Sequence, residues 1–360
     1  MTATTLDTLL AEAAELARAE AAEADRTGTP ADHTLARYGE LGALRLGVAD
    51  GRSALADVTR LLETVGAECL SSAFSLWAHR MVVEYLVASE RFDAELEDLL
   101  AGRRCGSIAM ATAMQELAGV GAIPTRATPT ADGYVVHGRI AWASNIGPGT
   151  IIVFPARVVA ADGSDTDERV ILTTSVGAAG LGHQPVTDLL ALGATRSAML
   201  HFDGVHVPAE AVVATSLEAA RARRTAHLLL QSAFSLGLAG RSVAEAGGAL
   251  DGPGGVLAAQ HERLAAQHRD LTRALHDAAA DPGAITPRDV TVLRYDAARL
   301  ALAAARHEAT LVGGRGYVTT HATNRRLREA SFLPVQSPSE VQLLQELERF
   351  GVYPTEGYAI

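Results

Sequence analysis

The chain contains no lysine; every one of its 31 basic residues is arginine. A Schiff-base enzyme needs a lysine amine and a P-loop nucleotidase needs a lysine reaching the terminal phosphates, so both classes are excluded. Cysteine is nearly as scarce. Cys69 and Cys105 stand far apart in apolar surroundings with no CxxC pair, so they read as reduced core residues rather than a disulfide framework or a metal site. Excess positive charge is also missing. A net charge of -11 and a pI near 5.5 disfavour a nucleic-acid partner, which would require clustered cations. No apolar stretch approaches the roughly 20 residues that span a bilayer, because Arg, Asp or Glu interrupts each Ala/Leu run. The N-terminal segment carries acids from the start and has no basic and then apolar signal pattern, so the cytoplasm is the expected compartment.

What is present is enough for a large core: 360 residues, 48% of them hydrophobic, which predicts two or three domains. Helical spacing of apolar residues covers 3–25, resumes after a Gly/Pro/Asp break at 28–32, and continues through 55–66, 72–88 and 92–101. After Gly106 the period changes. Runs rich in Val, Ile and Thr at 123–128, 133–142, 151–158, 169–175 and 198–207 read as antiparallel strands separated by Asp-Gly turns. The helical period returns at 215–250, 256–280, 287–311 and 337–350. Helices, then strands, then helices is an α+β order rather than an alternating βαβ one. It predicts three domains, 1–105, 106–212 and 213–360.

Several chemistries lack their signature. GAAGLG at 177–182 and GGRGYV at 313–318 do not have GxGxxG spacing, and neither sits inside a βαβ unit. Ser242 lacks the second glycine of GxSxG and falls mid-helix. The helix QHERLAAQHRDLTRALH at 260–276 has no HExxH, and His261, His268 and His276 point over more than one face. They are expected to be exposed, and no metal is proposed.

The strand region is more specific. GYVVHGRIAWASNIGPGTIIVFPAR at 133–157, HFDGVHVPAEAVV at 201–213, and GGRGY at 313–317 followed by RRLREA at 325–330 resemble, in order and spacing, conserved blocks of the acyl-CoA dehydrogenase superfamily. The resemblance covers nearly the whole chain. It implies a helical domain, a central antiparallel β-barrel and a four-helix bundle, FAD (or FMN) as cofactor, an acyl-type substrate, and a homodimer or homotetramer. By the same resemblance Trp142 packs beside the isoalloxazine and the Ser144 hydroxyl donates near the flavin N5. Thr112 falls in the loop that contacts flavin and CoA phosphate, and Gly313 and Gly314 fall in a cofactor-binding turn.

The departures bear on mechanism. Where the family carries its catalytic glutamate, this chain has Gln336 or Ser337, neither a base for an α-proton. The alternative position for that glutamate, on the first bundle helix, is His227, an imidazole with an ordinary pKa of about 6.5. Glu340 is the nearest acid. Leu228 replaces the arginine expected to bind CoA, with Arg223 and Arg224 about one turn away as substitutes. The pyrophosphate arginine of the next helix is also missing from GGALDGPGGVL, a loss worth about 1.5–3 kcal/mol of affinity. Three readings follow: a flavin oxidoreductase acting on an acyl substrate; a two-component flavin monooxygenase in which Ser144 and His79 serve the oxygen chemistry; and a non-catalytic partner of a paralogous subunit that supplies the missing groups.

Overall fold

The computed structural model describes residues 5–29, 34–49, 51–89, 91–160 and 162–352. Residues 30–32 of the predicted break, and the first four of the N-terminal segment, lie outside the described residues. The opening helices are α1 (Leu6–Thr27), α2 (Thr34–Glu40), α3 (Ala56–Glu68), α4 (Leu70–Val87) and α5 (Asp93–Leu100), with a short ribbon of β1 (Val48–Ala49) and β2 (Arg52–Ser53) between α2 and α3. The Thr5 hydroxyl accepts from the Thr8 amide at 3.3 Å to start α1, and Gly28 in the left-handed conformation (φ 63°) ends it. Every side chain of α4 is buried, and its two charged residues, Arg80 and Glu84, pair with each other at 2.7 Å.

The strand block runs through β3 (Gly106–Ile108), β4 (Arg126–Thr130), β5 (Gly133–Ala143), β6 (Ile151–Val159), β7 (Asp165–Ser175), β8 (Leu181–Pro185), β9 (Ala198–Pro208) and β10 (Val212–Ala214), interrupted by α6 (Ala111–Leu117). The pairing order β10-β7-β6-β4-β5-β9-β8, with β3 also on β6, is an open path among the described residues. The expected central strand block is present and differs from an antiparallel barrel in two details. No strand pairing among the described residues closes the sheet, and β3 and β4 each run parallel to β6. The sheet nevertheless curls. Phe154 of β6 and Phe202 of β9 belong to strands separated by β4 and β5, yet their rings lie 4.7 Å apart. The inward side chains of the curled sheet form a core distinct from the one that joins the helices.

The closing helices are α7 (Glu218–Ala222), α8 (Arg224–Gly247), α9 (Ala258–Ala280), α10 (Pro287–Val312), α11 (Ala322–Ala330) and α12 (Glu340–Arg349). Pro287 at the first turn and a Thr286 cap that accepts from the Asp289 amide at 3.1 Å set the start of α10. Helices α3 and α8 cross at glycines. A Cβ on Gly237 would lie 2.0 Å from the Glu63 carbonyl oxygen, and one on Gly66 would lie 2.7 Å from that of Phe234.

Two helices were not expected, α6 and α11. The first is only seven residues long, and the second is rich in arginine, which buries by pairing rather than by apolar spacing. Two of the α9 histidines, His261 and His268, correct the expectation of exposure, whereas His276 is exposed as expected. His261 is buried with its ring 5.7 Å from that of His307, and the half-buried His268 lies 3.0 Å from the Leu236 carbonyl; the exposed His276 sits beside Glu63 at 2.7 Å. The cause is packing of α9 against both α8 and α10, which covers more of its surface than a single stripe.

Candidate active site

A cavity of about 620 Å³ opens where helices and sheet meet. Its wall draws Trp77 from α4, Ile108 from β3, Trp142 from β5, His227 from α8, and Phe332 and Gln336 from the segment after α11. Residues distant in sequence are thus gathered only by packing between elements. Among the described residues the wall is mainly apolar and contains no Asp or Glu. Its one arginine, Arg328, is committed to Asp25 through bonds of 2.8 and 2.6 Å.

Trp142 keeps 57% of its surface exposed at the cavity wall. So open an aromatic face is unusual for a large apolar side chain and suits a flat ligand. Ser144 lies beside it in a hydroxyl chain. The Thr195 hydroxyl donates to the Leu192 carbonyl at 2.8 Å, so it must accept from Ser197 at 2.9 Å, and Ser197 in turn accepts from Ser144 at 3.1 Å. With its proton committed to Ser197, Ser144 offers lone pairs to the cavity. The resemblance implies instead that this hydroxyl donates toward the flavin; the neighbouring hydroxyls of Thr195 and Ser197 are partners that local sequence does not show.

His227, Gln336 and Ser337 also line the cavity, so the alternative positions for the missing base share one wall. Behind them lies Arg294 of α10, fully buried and without an ion pair among the described residues. Its Nε donates to the Gln231 side-chain oxygen at 2.9 Å, and a second guanidinium nitrogen donates to the Leu333 carbonyl at 3.0 Å and to the Gln336 side-chain oxygen at 3.4 Å. Burial lowers the Arg294 pKa to about 10, against a weaker opposite pull from Glu340. The guanidinium remains charged near neutrality.

A guanidinium only donates, so Arg294 fixes the orientation of both amides. Gln231 turns its NH2 to the Ser337 carbonyl at 2.9 Å and to His227 Nε2 at 3.2 Å. His227 Nε2 therefore accepts, and the neutral ring carries its proton on Nδ1. Burial holds the imidazole neutral, lowering its pKa to about 4, with the Ser337 carbonyl opposing and the cations Arg224 and Arg294 contributing further. Arg294 and Gln231 were missed by sequence reasoning. The signal was an arginine on the same helical face as Val290, Ala297 and Ala301, all buried.

The other sequence candidates lie elsewhere. His79 is not on the cavity wall; its Nδ1 accepts from the Gly106 amide at 3.0 Å, tying α4 to β3, and burial lowers its pKa to about 4. Thr112 follows the wall residue Ala111, but its hydroxyl is enclosed without a partner among the described residues. Gly313 and Gly314 form an open turn away from the cavity, where an added Cβ would meet nothing within 4 Å. Glu340 is off the wall and paired with Arg299 at 2.8 Å, which removes it as a base. Arg224 pairs with Glu346, and Arg223 donates to the Glu84 carbonyl at 3.1 Å, so neither replaces the CoA arginine from a free position.

Comparison with solved structures matches this architecture along its whole length. Butyryl-CoA dehydrogenase from Megasphaera elsdenii superposes with a TM-score of 0.84 at 17% identity, covering 97% of this chain and 99% of that one. The chain has the acyl-CoA dehydrogenase fold. A glutaryl-CoA dehydrogenase in complex with glutaryl-CoA gives a TM-score of 0.83 at 18% identity, with 98% of each chain covered. The same fold also serves oxygenation: a dibenzothiophene monooxygenase from Paenibacillus gives 0.79 at 17% identity, with 99% of each chain covered. No protein-family model and no curated protein sequence matches the chain.

Proposed function

We propose that this protein is a flavin-dependent oxidoreductase acting on an acyl-type substrate in the cavity lined by Trp142 and His227. The observation that carries this reading is a half-exposed indole and a hydroxyl relay on the wall of a mainly apolar cavity that buried polar groups also line. The open face of Trp142 and the mainly apolar lining support binding of the ring half of a flavin. The phosphate half of FAD finds no free cation on the described wall, since Arg328 is held by Asp25. FAD is favoured by the sequence resemblance, with FMN the smaller alternative. When bound, the flavin supplies the redox chemistry. The protein's part is to lay the substrate along the apolar wall, exclude water, and hold hydrogen bonds at Ser144, His227 and Gln336.

A second reading has support of its own. The described wall holds no carboxylate, and His227 Nε2 is occupied by Gln231, so no residue in place is a competent base for an α-proton. Ser144, offering lone pairs, suits the N5–H of a reduced flavin. Both features favour a monooxygenase that receives reduced flavin from a partner reductase. A homodimer or homotetramer remains part of the proposal, as does a cytoplasmic setting; a paralogous subunit is the remaining alternative partner.

The absorption spectrum of purified protein, with released flavin identified, tests the common premise. Anaerobic bleaching by an acyl-CoA supports dehydrogenation; oxygen-dependent product formation with added reduced flavin supports oxygenation. A protein that takes up neither FAD nor FMN overturns both.

A further inference from the structure

The connection from β8 to β9 is bracketed by strained backbone where it borders the cavity. Asp188 (φ 59°) and Leu192 (φ 61°) both hold the left-handed conformation without being glycine, a region that a bulky leucine rarely adopts. Between them, Leu189, Leu190 and Ala191 line the cavity. Leu190 keeps 65% of its surface exposed, so neighbouring side chains hold it only lightly. Among the described residues the backbone from Thr187 to Ala191 makes no main-chain hydrogen bond. A single hydrogen bond from outside fastens this stretch: Arg328 of α11 donates to the Leu190 carbonyl at 3.2 Å. That guanidinium is itself held by Asp25 of α1 at 2.8 and 2.6 Å and by the Asn324 side-chain oxygen at 2.8 Å.

The two ends of the connection are firm. The Thr195 hydroxyl and amide both donate to the Leu192 carbonyl, at 2.8 and 3.1 Å, and a Cβ on Gly193 would sit 2.9 Å from the Gly28 Cα, so this end is pressed against the end of α1. At the other end the Val186 amide donates to the Ser197 carbonyl at 2.9 Å. A lightly held span between firm ends, with left-handed residues at its limits, is built as a hinged strap. Releasing Arg328 lets both hinge residues return to ordinary backbone angles and breaks no main-chain bond. We propose that the Leu189–Ala191 strap is the entry gate of the cavity, held shut by the Arg328–Asp25 clasp. The inference rests on the reading of this cavity as a ligand site and adds how the ligand enters. Arg328 and Asp25 are positioning residues here, acting on the ligand's path through the strap.

The test uses full-length protein as purified and prodan, a neutral, flat fluorophore, as the probe. The chain's two tryptophans, Trp77 and Trp142, both line the cavity, so energy transfer from indole to prodan reports its occupancy. In stopped-flow mixing the observed rate should level off at high prodan concentration, at the rate of strap opening, a result that depends on no variant. Arg328→Met should raise that plateau roughly tenfold or more, the worth of one charge-assisted hydrogen bond. Asp25→Asn, which keeps one acceptor for Arg328, should raise it less. The dissociation constant should stay nearly unchanged in both, because a looser strap speeds entry and exit alike. A merely structural role would weaken binding and leave the plateau in place.

A rate that climbs linearly to the highest concentration reached, a plateau that neither variant moves, or no saturable energy transfer each overturns the gate. The outcomes separate this inference from the redox reading. A protein that holds flavin yet shows no plateau keeps its oxidoreductase assignment and loses the gate. One that admits prodan through a clasp-dependent step but never takes up flavin keeps the gate alone.

Discussion

The indole of Trp77 stands edge-on to the imidazole of His227, with ring centroids 5.0 Å apart and planes at 88°. This contact joins α4 to α8 and presses His227 into a dry environment, which is why the ring stays neutral. The cavity's chemistry therefore depends on helix packing as much as on the residue chosen.

Acid stability follows from the same burial. His79 and His227 each have a folded pKa of about 4 against an ordinary 6.5. The unfolded chain binds these protons first, so stability is complete above about pH 6.5 and is lost as pH falls toward 4, by about 3 kcal/mol for each ring. Urea unfolding followed between pH 7 and 4.5 should show this decline. His79→Gln, whose side-chain oxygen can still accept from Gly106, should flatten the slope; an unchanged slope would contradict the assignment.

Gly237→Val is expected to be severely destabilising. The new Cβ would sit 2.0 Å from the Glu63 carbonyl, a backbone atom that cannot rotate away. Overpacking of this kind costs about 1–3 kcal/mol, and α3 would have to shift to accommodate it. The urea midpoint should fall with little change in the slope of the transition.

Glu308 is completely buried, binds Arg326 through two bonds, one of them 2.9 Å long, and accepts from Thr323 at 2.5 Å. Glu308→Ala leaves the guanidinium stranded and should cost about 3–5 kcal/mol. Glu308→Leu combined with Arg326→Met should be more stable than the single alanine variant. A double variant as unstable as the single one would show that shape, not charge, holds α11 against α10.

Trp142→Ala should leave folding nearly unchanged because more than half of the side chain is exposed. Flavin affinity, read by fluorescence quenching on titration, should fall about tenfold as the aromatic wall is lost. Unaltered affinity would remove Trp142 from the flavin site.

The order helix, strand, helix was legible in the sequence because hydrophobic periodicity is local, and the positions of His227, Gln336, Ser337, Trp142 and Ser144 on one wall were legible through motif spacing. His79, Thr112, Gly313 and Gly314 were singled out by the same reasoning and lie off that wall. Residue type states which hydrogen bonds a group can make, but packing decides which it does make.

By itself, the sequence determined the α+β order, the absence of lysine chemistry, and the replacement of the expected glutamate by an amide or a hydroxyl. Only tertiary structure decided the polarity of the site. Arg294 reaches Gln231 and Gln336 across 63 and 42 residues of chain, and Ser144 reaches Ser197 across 53. Proton direction in such chains is set by their far ends, a guanidinium in one and the Leu192 carbonyl in the other, and no local pattern carries that information.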